Sequence, residues 1–220
     1  MIVGYDGPSR GTLRGVIESR AVPDFLPSTN GFRFANRFPP GPTIRFGPID
    51  PRWIGIGDAS AGLCGGMVWF VRERFQAGQP IPTDTEAPAN GSPLFRALVN
   101  RQVRSLDWLR TPLRFWWMGA IGLDRAVRRT RAVEWPHIRA DIDAGRLVRV
   151  GLVRHRGLSP WSMTQSHQVV VYGYAVDGDT ITLRIYDPNW PGRDDVSVVL
   201  GAAGASQSTG EALTSLFRIA

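Results

Sequence analysis

The segment from Gly62 to Val71 predicts a helix that is apolar on almost every side. Apolar side chains recur there at helical spacing, as Met67, Val68, Val71 and Phe75. Gly78 then supplies a signal for the end of the helix. A helix with so little polar surface is buried inside a domain, so the rest of the chain must pack around it.

Cys64 is the only cysteine of the chain and falls at the N-terminus of this predicted helix. Unpaired backbone N–H groups and the positive end of the helix dipole collect at such a position, and both favour a thiolate over a thiol. The neighbouring glycines do not shield the sulfur. Two interpretations stay open, because an unpaired cysteine is either an activated nucleophile or simply a small apolar core residue.

The order of the predicted elements indicates an α+β fold. Helical patterns come first, with a helix that starts at Ser92 and Pro93 and runs to about Leu109, and a second helical region that reaches Arg131. A short helix over 134–145 then leads into strand patterns at 146–153, 167–175, 180–187, 194–200 and 213–219. The segment between the last two strands, rich in Gly, Ala and Ser, is predicted to be flexible. Helices followed by an antiparallel sheet define the α+β class.

The 220 residues fit one main domain with an N-terminal extension. Residues 1–48 are rich in Gly, Pro and Arg, and we expect them to wrap the core as extended chain. Their anchors would be phenylalanines, namely Phe25, Phe32, Phe34, Phe38 and Phe46. The main domain is predicted over 49–220. A single cysteine excludes an internal disulfide, so the core must hold the fold.

The chain carries a formal charge of +7, and all of its 26 basic residues are arginines. Such a charge permits binding to nucleic acid or to an anionic surface. The densest cluster is Arg125, Arg128, Arg129 and Arg131, whose helical spacing favours a solvated helix face. It gives no specific nucleic-acid signal. No apolar stretch approaches the ~18 residues of a membrane span, and no secretory signal is seen, so we expect a cytoplasmic protein.

A cysteine nucleophile needs a base, and the chain offers three histidines. His137 follows Pro136 in the first turn of a helix and has no carboxylate at a useful offset, so we interpret it as structural or exposed. His155 lies between two arginines, which would oppose its protonation. His167 opens a predicted strand, and the neighbouring strand ends at Asp187. Since the histidines are scattered and there is one cysteine, we expect neither a bound metal nor a cofactor.

Whether His167 and Asp187 meet depends on the register of the predicted hairpin. A two-residue loop at Asp177-Gly178 would set Gln168 opposite Asp187 and turn His167 to the other face. A three-residue loop, Val176-Asp177-Gly178, would set His167 directly opposite Asp187. The second register also aligns one apolar face, pairing Val169 with Ile185, Val171 with Leu183 and Gly173 with Ile181, and is therefore the one we predict.

Together these motifs resemble the papain-like cysteine peptidases over about residues 50–200. The resemblance rests on the cysteine at the head of a buried helix, the helix and strand over 138–152, the strand from His167 to Tyr174, and Tyr186-Asp187-Pro188. It is closest to the bacterial branch that has an Asp-Pro third member, as in domains that trim bacteriocin leaders. The resemblance implies Cys64 as nucleophile, His167 as general base and acid, and Asp187 as the residue that orients the imidazole.

Two further positions bear on this resemblance. Asn189-Trp190 resembles the Asn-x-Trp of the plant-type branch, so Asn189 is the alternative third member. The family usually has a glutamine six residues before the cysteine that donates to the oxyanion, whereas Asp58 stands here and would repel negative charge. The Cys64 amide remains as one donor, and Ser60 is a candidate for a second. Asp58 would otherwise cap the turn before the helix.

The sequence therefore leaves three functions open. The first is a papain-like cysteine hydrolase that cleaves a peptide or amide bond through a Cys-His-Asp triad and an acyl-enzyme. The second is a transglutaminase-like acyltransferase, in which an amine replaces water. The third is a catalytically silent papain-fold binding module, which the aspartate at position 58 favours. The partner is a peptide or acyl substrate, whose identity the sequence does not give.

Overall fold

A computed structural model describes residues 18–39, 62–107, 110–154, 157, 166–202 and 204–219. Its helices are α1 (Pro27–Asn30), α2 (Cys64–Gln76), α3 (Pro93–Ser105), α4 (Arg110–Ala120), α5 (Leu123–Arg129) and α6 (Trp135–Asp143), with a π-helical segment at Thr130–Glu134. Its strands are β1 (Glu18–Ala21), β2 (Val148–Val153), β3 (His167–Asp177), β4 (Thr180–Tyr186), β5 (Ser197–Leu200), β6 (Ala205–Gln207), β7 (Ala212–Leu213) and β8 (Ser215–Ile219). The predicted α+β class is confirmed.

All described strand pairs are antiparallel and belong to one sheet, in the order β7-β6-β5-β4-β3-β2-β8. β3 is long enough to pair with two strands along one edge, β2 over its first half and β1 over its second half. Three strands have no predicted strand of their own. β1 lies in the N-terminal extension, β6 lies in the Gly/Ala/Ser segment predicted to be flexible, and β7 is separate from β8 although one strand was predicted over 213–219.

The predicted starts of two helices, α2 and α3, are confirmed. α2 begins at Cys64, and Gly78 beyond its end has a φ of +63°, a conformation that glycine adopts without strain. α3 begins after Ser92, whose hydroxyl oxygen accepts a hydrogen bond of 3.2 Å from the Phe95 N–H. It ends at Ser105, earlier than expected.

The core is built around α2, as its apolar pattern predicts. Met67, Val68 and Val71 are completely buried and share one hydrophobic cluster with strands β2 to β5. The described phenylalanines of the extension join the same cluster, namely Phe25, Phe32, Phe34 and Phe38. Burying each such side chain stabilises the fold by about 1.5–3 kcal/mol. The fifth, Phe46, lies outside the described residues.

The hairpin register predicted from the sequence is wrong. Asp177 pairs with Thr180, so the loop is Gly178-Asp179, with glycine at the first position and a φ of +53° there. This arrangement suits the two-residue turns that follow strand twist. The register then shifts by one residue between Val171 and Gly173, where a β-bulge interrupts the ladder.

The predicted apolar alignment changes with the register. Ile185 lies opposite Val171, Leu183 opposite Tyr174 and Ile181 opposite Val176. The different loop displaces the pairing by three residues (Asp177 with Thr180, where Ala175 with Asp179 was predicted), and the extra residue in the bulge takes back one of them. Near the rim of the sheet, the observed pairing of Val170 with Tyr186 differs from the predicted one by two residues. A two-residue shift keeps each side chain on its face, because strand side chains alternate with a period of two.

The predicted solvated face of the arginine cluster is correct for two of its four members. Arg125 and Arg128 are exposed. Arg129 instead stacks on the Trp117 ring, with 4.8 Å from its guanidinium carbon to the ring centroid. Arg131 donates to the backbone carbonyl oxygens of other loops and strands. Among the helices of the described ranges, none combines the length and apolarity that crossing a membrane requires.

Candidate active site

Cys64 is the first residue of α2, and its side chain is partly exposed. Two side chains satisfy backbone groups at this helix start. The Leu63 N–H donates to Asn36 Oδ1 at 2.6 Å, and the Gly66 N–H donates to Gln102 Oε1 at 2.9 Å. The thiol therefore lies where the helix dipole favours its ionised form, on a helix end that is anchored from two sides.

The structure explains why glycines follow Cys64, which the sequence alone did not. Gly65 and Gly66 are buried against α3 rather than forming an open collar around the thiol. A Cβ at Gly66 would overlap the carbonyl oxygen of Leu98, and one at Gly65 would overlap the Ser105 hydroxyl. The backbones of α2 and α3 approach each other closely at Gly66, so a side chain cannot be accommodated there.

His167 is the first residue of β3, and it is 4% exposed. Its Nε2 shares a hydrogen bond of 2.6 Å with Asp187 Oδ1. The same imidazole lies beside the Cys64 thiol, because each of the two groups shifts the pKa of the other. Since Nε2 is bound by the carboxylate, Nδ1 is the nitrogen that remains for the sulfur. Three residues that lie far apart in the sequence are thus brought together.

Asp187 follows the end of β4 and is 1% exposed. Besides His167, its Oδ1 accepts from the Asn189 N–H at 2.8 Å, and its Oδ2 accepts from Gln207 Nε2 at 2.6 Å. Together, these three hydrogen bonds hold the Asp187 carboxylate in one orientation. Gln207, which lies on β6, was not predicted, because a glutamine in a stretch of Gly, Ala and Ser carries no pattern that points to a site.

Cys64, His167 and Asp187 shift one another's pKa values, and each shift favours the charged form of the group. Burial alone would raise the pKa of the Cys64 thiol, but its hydrogen bond with His167, the charge of that imidazole and the backbone N–H groups of Gln168 and Gly65 lower it. Burial alone would lower the pKa of His167, yet the charge and hydrogen bond of Asp187, together with Cys64, raise it. Burial would raise the pKa of Asp187, and the charge of His167 and the three hydrogen bonds lower it. A thiolate beside an imidazolium is therefore the favoured state.

Asn189 does not occupy the place of Asp187. Its backbone N–H supports Asp187, while its side-chain Oδ1 accepts from Asn36 Nδ2 at 3.2 Å. The Asn36 N–H also donates to the Pro188 carbonyl at 2.8 Å. Asn36, which the sequence gave no reason to single out, therefore joins the helix start at Leu63 to the turn after Asp187.

The remaining candidates are placed as follows. Asp58, Ser60 and His155 lie outside the described residues. His137 is exposed on α6, with its Nδ1 at 2.7 Å from the Val133 carbonyl oxygen, far along the chain from the triad residues. Within the described ranges, His, Cys, Asp and Glu side chains do not form a group of three that could hold a metal ion.

No protein-family model matches this chain, and neither the curated proteins nor the solved structures contain a significant match to it. The site must therefore be interpreted from its own geometry. It brings together a thiol of lowered pKa, an imidazole that contributes to that shift, and a buried carboxylate that fixes the imidazole. These are the nucleophile, base and orienting group that covalent catalysis requires.

Proposed function

We propose that the protein is a cysteine hydrolase of papain-like fold that cleaves a peptide or amide bond through an acyl-enzyme. The observation that carries this proposal is the arrangement of Cys64, His167 and Asp187, in which the thiol and the imidazole shift each other's pKa and the imidazole Nε2 is hydrogen-bonded to Asp187. The placement of these residues supports the fold assignment as well. The thiol starts a buried helix, and the imidazole and carboxylate lie at one rim of the antiparallel sheet that this helix packs on.

In the first half of the reaction, the Cys64 thiolate attacks the carbonyl carbon of the substrate, and the electron pair of the C=O bond moves onto oxygen. The backbone N–H of Cys64 is the donor that we assign to this oxyanion. The tetrahedral intermediate collapses as the C–N bond breaks. The His167 imidazolium gives its proton to the departing amine, and a thioester on Cys64 remains.

In the second half, His167 is neutral and takes a proton from water, which attacks the thioester carbon. Collapse of this second intermediate breaks the C–S bond, releases the carboxylic acid and restores the thiolate beside the imidazolium. Asp187 holds the ring through Nε2 in both halves, so that Nδ1 faces the reacting atoms.

Alkylation of Cys64 by iodoacetamide tests the activated thiol directly, because the chain has no other cysteine. The sign of the pH dependence follows from the two shifts. The thiolate forms as pH rises through the lowered pKa of Cys64, and the imidazolium is lost only as pH rises through the raised pKa of His167. We expect wild-type protein to react rapidly already at pH 6, with a plateau between these two limits.

His167→Ala should remove this reactivity. The pKa of the Cys64 thiol then returns toward an ordinary value of about 8.5. At pH 6, less than about 1% of such a thiol is ionised. A thiolate of lower pKa is intrinsically less nucleophilic, so we expect a net loss of about 10- to 100-fold. His137→Ala, which removes the exposed histidine of α6, is the matched control and should react like the wild type. Equal rates in all three proteins would instead favour a silent binding module.

Hydrolysis and acyl transfer are separated by the fate of the acyl group. Incubation with a library of peptide and acyl substrates, followed by acid quench and mass spectrometry, should show the mass of an acyl group on Cys64. The acyl group should leave as a free acid in water. A product that forms only when a primary amine is added would favour the transglutaminase-like reaction.

A further inference from the structure

Polar contacts continue beyond the candidate triad through the second oxygen of the Asp187 carboxylate. Gln207 Nε2 donates to Asp187 Oδ2 at 2.6 Å, and Gln207 Oε1 in turn accepts from Arg154 Nη2 at 3.0 Å. Arg154 Nη2 also lies 3.7 Å from Glu211 Oε1. A row of side chains therefore extends from Asp187 to Arg154, a residue to which the proposed reaction gives no role.

The return of the chain after β7 brings Arg154 and Gln207 together. Arg154 follows the last residue of β2, and Gln207 is the last residue of β6, so three strands lie between them in the sheet order. The Thr214 N–H nevertheless donates to the Val153 carbonyl oxygen at 2.7 Å, which joins the chain after β7 to the end of β2. The turn between β6 and β7, which carries Glu211, therefore lies beside Arg154.

The hydrogen-bonding roles of the three partners allow only one orientation of the Gln207 amide. A guanidinium can only donate and an ionised carboxylate can only accept, whereas an amide has one end of each kind. If the amide were turned over, its NH₂ group would face Arg154 and its carbonyl oxygen would face Asp187, so both contacts would become repulsive. Gln207 is only 3% exposed, and buried mismatches of this kind are costly. Arg154 therefore selects the orientation in which Gln207 donates to Asp187.

Arg154 is held in place by the same turn that carries Gln207. Glu211 supplies a nearby carboxylate, and its carbonyl oxygen accepts from the Gln207 N–H at 2.9 Å, which closes the turn. The Arg154 side chain is 18% exposed and that of Glu211 is 32% exposed. A substitution at Arg154 therefore leaves no deeply buried charge without its partner, and we expect the fold to tolerate it.

We propose that Arg154 is a positioning residue of the candidate active site. Its donation to Gln207 Oε1 fixes the amide so that Nε2 donates to Asp187, and Asp187 then holds the His167 imidazole in one orientation. Arg154 acts through Gln207 rather than on the reacting atoms. This role rests on the proposed function, because the orientation of His167 matters to catalysis only if Cys64 is a nucleophile.

The side-chain amide resonances of Gln207 test this orientation without any substrate. In protein that carries nitrogen-labelled glutamine, the Gln207 NH₂ group is assigned as the nuclear magnetic resonance signal that is lost in Gln207→Met. A hydrogen bond to a carboxylate moves the bonded proton downfield. We therefore expect one Gln207 proton downfield of the amide protons of Gln76, which is exposed.

Arg154→Met should move this proton toward the position of the Gln76 protons, because the Gln207 amide is no longer held in one orientation. Arg96→Met is the matched control, since it removes the same charge from an exposed position of α3, and it should leave the proton in place. A Gln207 signal that is the same in Arg154→Met and in the wild type would overturn the proposal.

Turnover of a peptide or amide substrate tests the catalytic consequence through a double-mutant cycle. Arg154→Met alone should lower kcat by about tenfold with little change in KM, since the charge-assisted hydrogen bond to Asp187 is weakened. In the Gln207→Met background, which has no amide to orient, the same substitution should lower kcat by less than about twofold. Equal losses in the two backgrounds would show that Arg154 acts independently of Gln207, and would overturn the proposal.

Two further variants test the direction of donation. Arg154→Lys keeps a cation that can only donate, so it should retain the downfield Gln207 proton and most of the turnover. Arg154→Gln introduces an amide that can donate or accept, so it should behave like Arg154→Met, and it replaces that variant if Arg154→Met does not fold. Equal losses in Arg154→Lys and Arg154→Gln would contradict the role of Arg154.

The two proposals can fail separately in these experiments. Absence of turnover on every substrate, with the Gln207 proton responding as expected, would contradict the proposed hydrolase and would leave Arg154 as the residue that positions Asp187 through Gln207. Turnover by the wild type, with a Gln207 proton that does not respond to Arg154→Met, would overturn the role of Arg154 alone.

Discussion

Asp187 and Asp141 are two buried carboxylates whose pKa values are both lowered by their partners, yet their partners differ in kind. Asp187 holds an imidazole through Oδ1. Asp141, on α6, accepts from Arg146 Nη2 at 2.7 Å and from Arg218 Nε at 2.6 Å. Burial would raise the pKa of Asp141, and the hydrogen bonds and charges of these arginines lower it.

The comparison teaches that the partner, rather than the carboxylate, decides what such a pair can do. A guanidinium keeps its proton at every ordinary pH, so Asp141 can only hold α6 against β8. An imidazole can give up its proton to a reacting group, so in the proposed function Asp187 can govern proton transfer at the Cys64 thiol. If the proposed function holds, the same type of burial thus serves stability at Asp141 and chemistry at Asp187.

The largest expected effect is that of Asp187→Asn. An amide in this place would allow the wrong tautomer of His167, and the turnover of a peptide or amide substrate should fall about 10⁴-fold. Asp141→Asn is the control and should leave turnover within a few-fold of the wild type. Steady-state kinetics on folded, monodisperse protein checks both variants. If the two substitutions lowered turnover equally, the distinction drawn between the carboxylates would be lost.

Gln207→Met comes next, because it removes the donor to Asp187 Oδ2 at nearly constant volume. Loss of a hydrogen bond to a charged group should lower turnover by about 10- to 100-fold. Without this donor the pKa of Asp187 rises, so the acidic limb of the pH–rate profile should move to higher pH. A purely structural glutamine would not move that limb. Gln76→Met, at the exposed end of α2, is the control.

Asp141→Asn should affect stability rather than turnover. It leaves two arginines without their anion, and we expect a loss of about 1–3 kcal/mol in the free energy of unfolding by urea at pH 7. Because the folded-state pKa of Asp141 is lowered, its contribution is present above the unfolded value and is lost as pH falls through the folded value. The gap between variant and wild type should therefore close in acid. A gap that is constant with pH would contradict the ion-pair explanation.

Asn189→Ala should have the smallest effect, a few-fold at most in turnover. It removes the side-chain contact with Asn36, whereas the backbone N–H that supports Asp187 remains. An essential Asn189 together with a dispensable Asp187 would reverse this result, and the plant-type arrangement would then apply.

The sequence predicts the nucleophile helix well because its signals are local. Glycines before and after an apolar periodic stretch place its start at Cys64 and its end near Gly78. The contact between His167 and Asp187 was predicted for an incorrect register. The loop and the bulge together displace the observed pairing from the predicted one by two residues near the rim of the sheet. Because strand side chains alternate with a period of two, this displacement leaves His167 and Asp187 on the same face, where they meet.

Gln207 and Asn36 could not be predicted, because nothing local marks them. Gln207 reaches Asp187 only through the sheet order that sets β6 two strands away from β4. Asn36 lies in an irregular segment with no periodic pattern, and its contacts depend on where the turns after Leu63 and Asp187 come to lie. Such residues are positioned by the complete tertiary structure.

The pairing of β1 with β3 also sets the order in which the site can be assembled during synthesis. β1 is made well before β3, so it has no partner until more than a hundred further residues have been added, and pairing across such a separation is slow. The Cys64 helix is likewise made long before His167 and Gln168, which lower the pKa of the thiol. A nascent chain on the ribosome therefore carries a cysteine whose pKa His167 and Gln168 do not yet lower, and that shift arises only after the chain has been synthesised past Gln168.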